Sequence, residues 1–194
     1  MAKAFGNKKY MASSLSCLGN TYHYLGEYYA AYDHLQEAYQ LYKALLPDNP
    51  KLQLDCCRCG NNMVNDARMI LKDGDKVVSL ARDVEKEAAT VSNDYTHAWS
   101  LMMLAQVLDQ FGDREEALRH LERVKQMGIS SLRYQVYFRI ALMHYNEKRL
   151  PEALDAAEEA WKHQENVQVN FGQLWQLCKV IKLPKLSKSP NFGK

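Results

Sequence analysis

Residues 15–38, LSCLGNTYHYLGEYYAAYDHLQEA, contain the pattern that decides the fold. Leu15, Leu18 and Tyr22 recur at three- and four-residue spacing, which places their side chains on one face of a helix. Gly26 interrupts this pattern, and glycine commonly ends a helix because it adopts a positive φ without strain. A second helix then presents small or apolar residues on its buried face, namely Ala31, Leu35 and Ala38. The stretch therefore predicts a hairpin of two amphipathic helices.

The same two-helix pattern recurs three more times along the chain. Each first helix carries a small residue directly after its second apolar position, where the backbone of a neighbouring helix must approach closely: Gly19, Gly60, Ala105 and Ala141. Each second helix carries a small residue that we expect to face this site: Ala31, Ser79, Ala117 and Ala153. Both series are in register with the apolar pattern, and together they predict four helical hairpins.

The spacing L-x2-L-G-x2-Y, followed by A-x3-L-x2-A, resembles the tetratricopeptide repeat (TPR). The first apolar positions of successive repeats are Leu15, Cys56, Leu101 and Tyr137, which are 41, 45 and 36 residues apart. These repeats are mostly longer than usual and are similar to those of kinesin light chain-type arrays and of TPR arrays associated with NLR-like STAND NTPases. The resemblance implies an all-α fold, a right-handed superhelical solenoid of about four hairpins with a C-terminal capping helix.

The domain organisation follows from the turns between these patterns. Residues 1–10 are a polar lead-in with a turn at Gly6-Asn7, and residues 11–183 form the repeat domain. The hairpins are predicted over about 11–46, 51–92, 95–127 and 130–165. A capping helix is predicted over 169–183, because Trp175 there occupies the position of the small residue and would exclude a close partner helix. Alternatively, the array continues in a longer protein. Residues 184–194 are predicted to form a basic, flexible tail.

Charge and hydropathy exclude several function classes. Of the 25 basic residues, five lysines follow Cys178, where no acidic residue occurs. The rest of the chain therefore has 20 basic and 23 acidic side chains, a balance that argues against a nucleic-acid surface. No apolar run approaches the roughly 18 residues of a membrane-spanning helix, and the first residues lack the apolar centre of a secretory signal. We expect a cytoplasmic protein that binds neither nucleic acid nor membrane.

The residues that could carry catalysis or bind a metal do not form a recognisable site. Cys56 and Cys59 occupy the two apolar positions of their helix, so they are predicted to pack in the core rather than bind zinc. The six histidines are dispersed, and the chain contains neither a phosphate-binding glycine loop nor a serine elbow. The sequence therefore predicts no enzyme, no cofactor and no metal.

A concave surface is the remaining candidate for function, because in TPR arrays the first helices of successive hairpins line such a surface. Asn20, Asn61 and Gln106 directly follow the small residues of their helices and could form a ladder of carboxamides toward a peptide backbone. The alternative is that they are ordinary exposed side chains. The predicted groove also contains neighbouring positions, namely Arg58, Trp99, Met102, Met103, Phe138 and Arg139. One of the two methionines could instead belong to the core.

The sequence favours a non-catalytic scaffold that binds a peptide or helix of a partner protein in this groove. A second interpretation is a sensor or autoinhibitory array excised from an NLR-like NTPase, which an upstream Walker motif in a longer reading frame would establish. A third is a receptor for a small molecule or a short signalling peptide. The sequence identifies neither the partner nor the oligomeric state.

Overall fold

The structure is a computed structural model that describes the backbone of residues 2–163 and the side chains of residues 8–163. Within these limits the chain is all-α, with eight α-helices and no strand. The helices are α1 (Ala2–Tyr24), α2 (Tyr28–Leu45), α3 (Gln53–Ile70), α4 (Gly74–Ala88), α5 (Asp94–Phe111), α6 (Arg114–Gln126), α7 (Arg133–Asn146) and α8 (Leu150–Lys162). Short 3-10 turns, Pro50–Leu52 and Ser130–Leu132, precede α3 and α7. The predicted all-α helical-repeat fold is confirmed.

The turns within the hairpins depend on residues with special backbone or capping properties. Gly26 and Gly112 have φ values of 80° and 112°, a region in which only glycine is free of strain, and each ends the first helix of a hairpin. At the start of α4, the Asp73 carboxylate accepts a hydrogen bond from the backbone N–H of Lys76 at 3.1 Å. Such caps satisfy backbone donors that a helix start leaves unpaired.

The chain forms two compact units that divide between His120 and Leu121, inside α6. In the first unit, α2 packs against both α1 and α3, and α4 packs against both α3 and α5. This order places the first helices of the hairpins, α1, α3 and α5, in succession. The largest fully buried side chains of this unit include Leu35, Met63, Leu101 and Leu104.

The small residues of the first unit permit close helix approach, as the sequence predicts. A Cβ atom added at Gly19 would lie 2.6 Å from Cγ of Leu35 on α2. At Gly60 it would lie 2.8 Å from Cγ2 of Val84 on α4 and 3.0 Å from the Tyr39 ring on α2. All three distances are shorter than van der Waals contact, so neither position has room for a side chain.

In the second unit, α7 packs against α8. Ala141 on α7 is fully buried, and so are Ala153, Ala157 and Ala160 on α8. Pro151 lies in the first turn of α8, where its missing N–H would have had no helical partner. Small residues on both helices thus form the contact between them.

Two details of the sequence prediction require correction. Helix α1 begins at Ala2, so residues 2–10 are helical and contain no turn at Gly6-Asn7; one glycine costs a helix only about 1 kcal/mol, which its neighbours can offset. Ser79 is exposed, and Val77 occupies the buried position that corresponds to Ala31. The spacing Val77, Ala81 and Val84 reproduces that of Ala31, Leu35 and Ala38. The predicted capping helix and basic tail lie outside the described residues.

None of the helices between residues 2 and 163 combines the length and hydropathy needed to cross a membrane.

Candidate functional site

A concavity of about 390 Å³ opens on the first unit between α1, α3 and α5, and we call it the α1–α3–α5 groove. Its volume lies within the range typical of ligand-binding clefts. The groove is lined by Ser13, Ser16, Cys17, Asn20, Tyr42, Asp55, Arg58, Asn61, Asn62, Tyr95 and Trp99. The structure therefore brings together four of the residues singled out from the sequence: Asn20, Arg58, Asn61 and Trp99.

The carboxamides of the groove are held in two separate hydrogen-bond systems. The Asn20 Oδ1 accepts a hydrogen bond from the Asn62 amide at 2.8 Å, which joins α1 to α3. The Asn61 side chain is only 2% exposed, and its Nδ2 donates to the Ser100 hydroxyl on α5 at 2.8 Å. The Ser100 hydroxyl in turn donates to the Thr96 carbonyl at 3.1 Å. These bonds fix the orientation of both asparagines.

The Asn61 Oδ1 is a polar atom that lacks a partner although it is buried. It has no hydrogen bond within the described part of the chain. The Ser100 hydroxyl cannot satisfy it, because that proton is donated to the Thr96 carbonyl. A buried carbonyl without a donor costs about 1–3 kcal/mol, so a small side-chain movement that let a donor reach this atom would be favourable.

Charged and aromatic side chains complete the lining. Arg58 is exposed and makes no hydrogen bond or ion pair with any residue whose side chain the structure describes. Asp55 lies one helical turn earlier on the same helix. Tyr95 and Trp99 on α5 stack in parallel, with ring centroids 6.3 Å apart and an interplanar angle of 12°. The groove thus combines a cation, an anion and a flat aromatic surface.

Tyr42 closes the groove from α2. Burial raises the pKa of its hydroxyl, the charge of Asp55 raises it further, and a hydrogen bond with Ser13 opposes the rise. The Tyr42 phenol therefore stays neutral at physiological pH.

The lining of the groove does not include Gln106, Met102 or Met103, which the sequence predicted to belong to it. Met102 and Met103 are both buried, so they form core beneath the surface rather than an exposed apolar floor. The reason is that α5 packs against both α3 and α4, which leaves it little free surface. Gln106 is half-buried and is not among the lining residues, although its Oε1 is also buried without a described partner.

Phe138 and Arg139 lie on α7 of the second unit. Phe138 is half-buried and stacks on Tyr134, with ring centroids 5.8 Å apart. Arg139 is half-buried as well and is engaged by its surroundings. The role of these two side chains in binding stays a prediction.

The cysteine cluster on α3 belongs to the core, which confirms the prediction for Cys56 and Cys59. Their side chains and that of Cys57 are almost fully buried, and the Cys59 thiol donates to the Leu35 carbonyl at 3.3 Å. Burial raises the pKa of Cys57 to about 11 and that of Cys59 to about 12. Over the described residues, no group of three or more His, Cys, Asp or Glu side chains could hold a metal ion.

The sequence prediction missed a contact between a buried carboxyl group and a histidine that joins α1 to α3. Asp66 is completely buried, and its Oδ1 lies 2.5 Å from Nδ1 of His23. Burial raises the pKa of the Asp66 carboxyl, and the contact with His23 opposes this rise. The signal was Asp66 itself, an acid between the buried residues Val64 and Ala67, whereas its partner is 43 residues away and could not be identified from spacing.

Comparisons with known proteins agree with the geometry. Residues 11–51 and 97–130 match a family model described as tetratricopeptide repeat. The fold is similar to the crystal structure of BtubC (BKLC) from P. vanneervenii, with a TM-score of 0.61 and 10% sequence identity over 82% of this chain and 74% of that chain. Similarity at this level of identity indicates a common fold alone. No curated protein matches the sequence at a significant level.

Proposed function

We propose that this chain is a tetratricopeptide-repeat protein and acts as a non-catalytic scaffold that binds a peptide or helix of another protein in the α1–α3–α5 groove. Proteins with these repeats generally act in protein–protein interaction. The observation that supports the proposal is the carboxamide of Asn61, a residue that lines the groove and whose buried Oδ1 lacks a donor. A backbone N–H is the donor that every peptide offers.

Two other features of the groove fit a peptide. Arg58 has no described partner, so it can pair with a carboxylate of the ligand without first breaking an ion pair. The Tyr95–Trp99 stack provides a flat surface that is apolar on its faces, and an aromatic, proline or aliphatic side chain packs well on such a surface. Backbone hydrogen bonds would supply affinity, and these two features would supply selectivity.

The chemistry of the lining supports binding rather than catalysis. The groove contains three groups that could act as nucleophiles, at Ser13, Ser16 and Cys17, but no histidine is among its lining residues. Nucleophilic catalysis requires a base within hydrogen-bond reach of the nucleophile. Asp55, the acidic residue of the lining, is half-buried beside Arg58 and has no second carboxylate next to it in the groove.

The proposal is tested by selecting peptides from a random display library on the full-length chain and measuring their affinity by fluorescence anisotropy. Arg58→Ala is expected to weaken a selected acidic peptide about tenfold to a hundredfold, because a hydrogen bond to a charged group contributes about 1.5–3 kcal/mol. Arg119→Ala, which removes an exposed arginine from α6, serves as the matched control and is expected to change nothing. Failure to select any peptide, or equal weakening by both variants, would refute the groove as the binding site.

A further inference from the structure

A ridge of exposed apolar side chains runs along α1 on the side away from the groove. Met11, Leu18 and Leu25 are 48%, 42% and 69% exposed. Seven residues make nearly two helical turns, so these side chains fall on one line along the helix, and Leu25 continues it just beyond the end of α1. We call these three residues the α1 ridge. The groove-lining residues of α1 point in the opposite direction, at Ser13, Ser16, Cys17 and Asn20.

The later repeats show what normally happens to this face. The residues of α1 with the repeat pattern are Met11, Leu15, Leu18 and Tyr22. Met11 and Leu18 are exposed, whereas Leu15 and Tyr22 are half-buried. Their counterparts 41 residues later are Leu52, Cys56, Cys59 and Met63, each at most 3% exposed. On α5 the counterparts of the last three are Leu101, Leu104 and Leu108, each at most 2% exposed. The same face is therefore covered on α3 and α5 and open on α1.

The covering element on α3 is the second helix of the preceding hairpin. The Cys59 thiol, which corresponds to Leu18, contacts the Leu35 carbonyl of α2. The Tyr39 ring of α2 lies against Gly60, whereas the three atoms nearest to a Cβ at Gly19 all belong to the hairpin's own second helix. In the same way α4 covers α5, where Glu85 and His97 approach to 3.0 Å. No described helix occupies this position on α1.

We infer that the α1 ridge is a docking surface for an amphipathic helix of a partner protein, which takes the place that α2 occupies on α3. On α2 the side chain that lies against α3 at Gly60 is that of Tyr39, so we expect such a helix to carry a large apolar or aromatic residue at the corresponding position. It runs antiparallel to α1, because α2 and α3 are consecutive helices joined by a short turn. The surface is separate from the α1–α3–α5 groove, so both can be occupied at once.

The charge near the ridge agrees with this orientation. Lys8 is exposed near the start of α1, one turn before Met11. The end of an antiparallel helix would lie there, and the C-terminus of a helix carries a partial negative charge. Acidic residues in the last turns of the partner helix would strengthen the attraction. The helix α4 has this composition, with Asp83, Glu85 and Glu87 near its end.

A peptide of residues 73–89 is therefore the probe that tests the inference. It contains α4 and its own N-cap, Asp73, and in the folded chain this helix covers the face of α5 that corresponds to the α1 ridge. A fluorescent form of the peptide is expected to bind the full-length chain saturably. Leu18→Glu is expected to weaken binding about tenfold or more, because it places a charge in the apolar contact. Met11→Glu tests the same surface independently should Leu18→Glu alter the fold, which circular dichroism would reveal.

Two controls separate this surface from others. Tyr24→Glu changes an aromatic residue that is 87% exposed but lies off the ridge, and it is expected to leave binding unchanged. Arg58→Ala is expected to have no effect either, so that loss of binding in this variant would mean the peptide occupies the groove. Absence of saturable binding, or equal binding by Leu18→Glu, would overturn the inference. It would also be overturned if sedimentation velocity shows that the wild-type chain dimerises and Leu18→Glu abolishes the dimer, because the occupant would then be a second copy.

Discussion

Replacing Gly60 by alanine tests whether the small residues exist to let helices approach. The added Cβ would lie 2.8 and 3.1 Å from the two methyl groups of Val84 and 3.0 Å from the Tyr39 ring. Valine in a helix strongly prefers one rotamer, so it cannot turn away, and the Tyr39 hydroxyl is anchored to Glu87 at 2.8 Å. Overpacking of this kind costs about 1–3 kcal/mol. The helix propensity of alanine returns up to about 1 kcal/mol.

We therefore expect Gly60→Ala to lower the free energy of unfolding by about 0.5–2 kcal/mol in urea melts. Val84→Ala is destabilising by itself, since it removes two buried methyl groups, but it also makes room for the new Cβ. The double variant is expected to lose about 1 kcal/mol less unfolding free energy than the two single variants lose in total. A stabilised Gly60→Ala variant, or strictly additive effects, would refute the close-approach argument.

Three further predictions follow from buried polar groups. Burial raises the pKa of Asp66 above 3.8, so the folded chain binds this proton more tightly than the unfolded chain, and the stability due to Asp66 falls as pH rises through the folded pKa. In urea melts the free energy of unfolding of the wild type should therefore include a decline between pH 3.5 and 7 that is due to Asp66. The Asp66→Asn variant should lack this decline. Ser100→Ala leaves the buried Nδ2 of Asn61 without its acceptor, so we expect a loss of about 1–3 kcal/mol and a lower Tm, and an unchanged Tm would contradict the described bond. Alkylation of Cys57 at pH 8 should be far slower than that of the exposed Cys17, because Cys57 is buried and its pKa is raised to about 11; equal rates in the native protein would contradict its burial.

The repeat pattern predicted the fold because it depends on local spacing. The positions of Gly19, Gly60, Ala105 and Ala141 reflect a packing requirement that recurs in each hairpin, and one sequence therefore contains four copies of the same evidence. The register of the second hairpin was harder to predict from the sequence. Ser79 fits the small-residue series in size, but the buried positions begin at Val77, and a valine does not stand out as a close-contact residue.

The groove was predicted in part, and the limits have a physical cause. Spacing identified the helix face of Asn20, Arg58, Asn61 and Trp99, because residues at corresponding positions of stacked helices face the same way. It could not determine how deeply each position is buried. That depth depends on neighbours from other hairpins, which is why Asn61 is held by a distant serine.

The methionines illustrate the same limit. Met102 and Met103 are adjacent in sequence, so a helical pattern places them about 100° apart and predicts that at least one is accessible. Both are buried because α5 has packed helices on two sides. Contacts between separate helices decided this outcome, and no local pattern encodes them.

Protection of Cys17 from alkylation tests the central claim, that a peptide occupies the α1–α3–α5 groove, most directly. Cys17 lines the groove and is exposed, whereas the other cysteines of the described chain are buried. The rate of its reaction with iodoacetamide is measured by mass spectrometry of the fragment that contains Cys17, with and without a saturating display-selected peptide. We expect the peptide to slow this reaction at least about tenfold, and we expect Arg58→Ala to need about tenfold to a hundredfold more peptide for the same protection. An unchanged rate at full occupancy would show that the peptide binds elsewhere and would contradict the account.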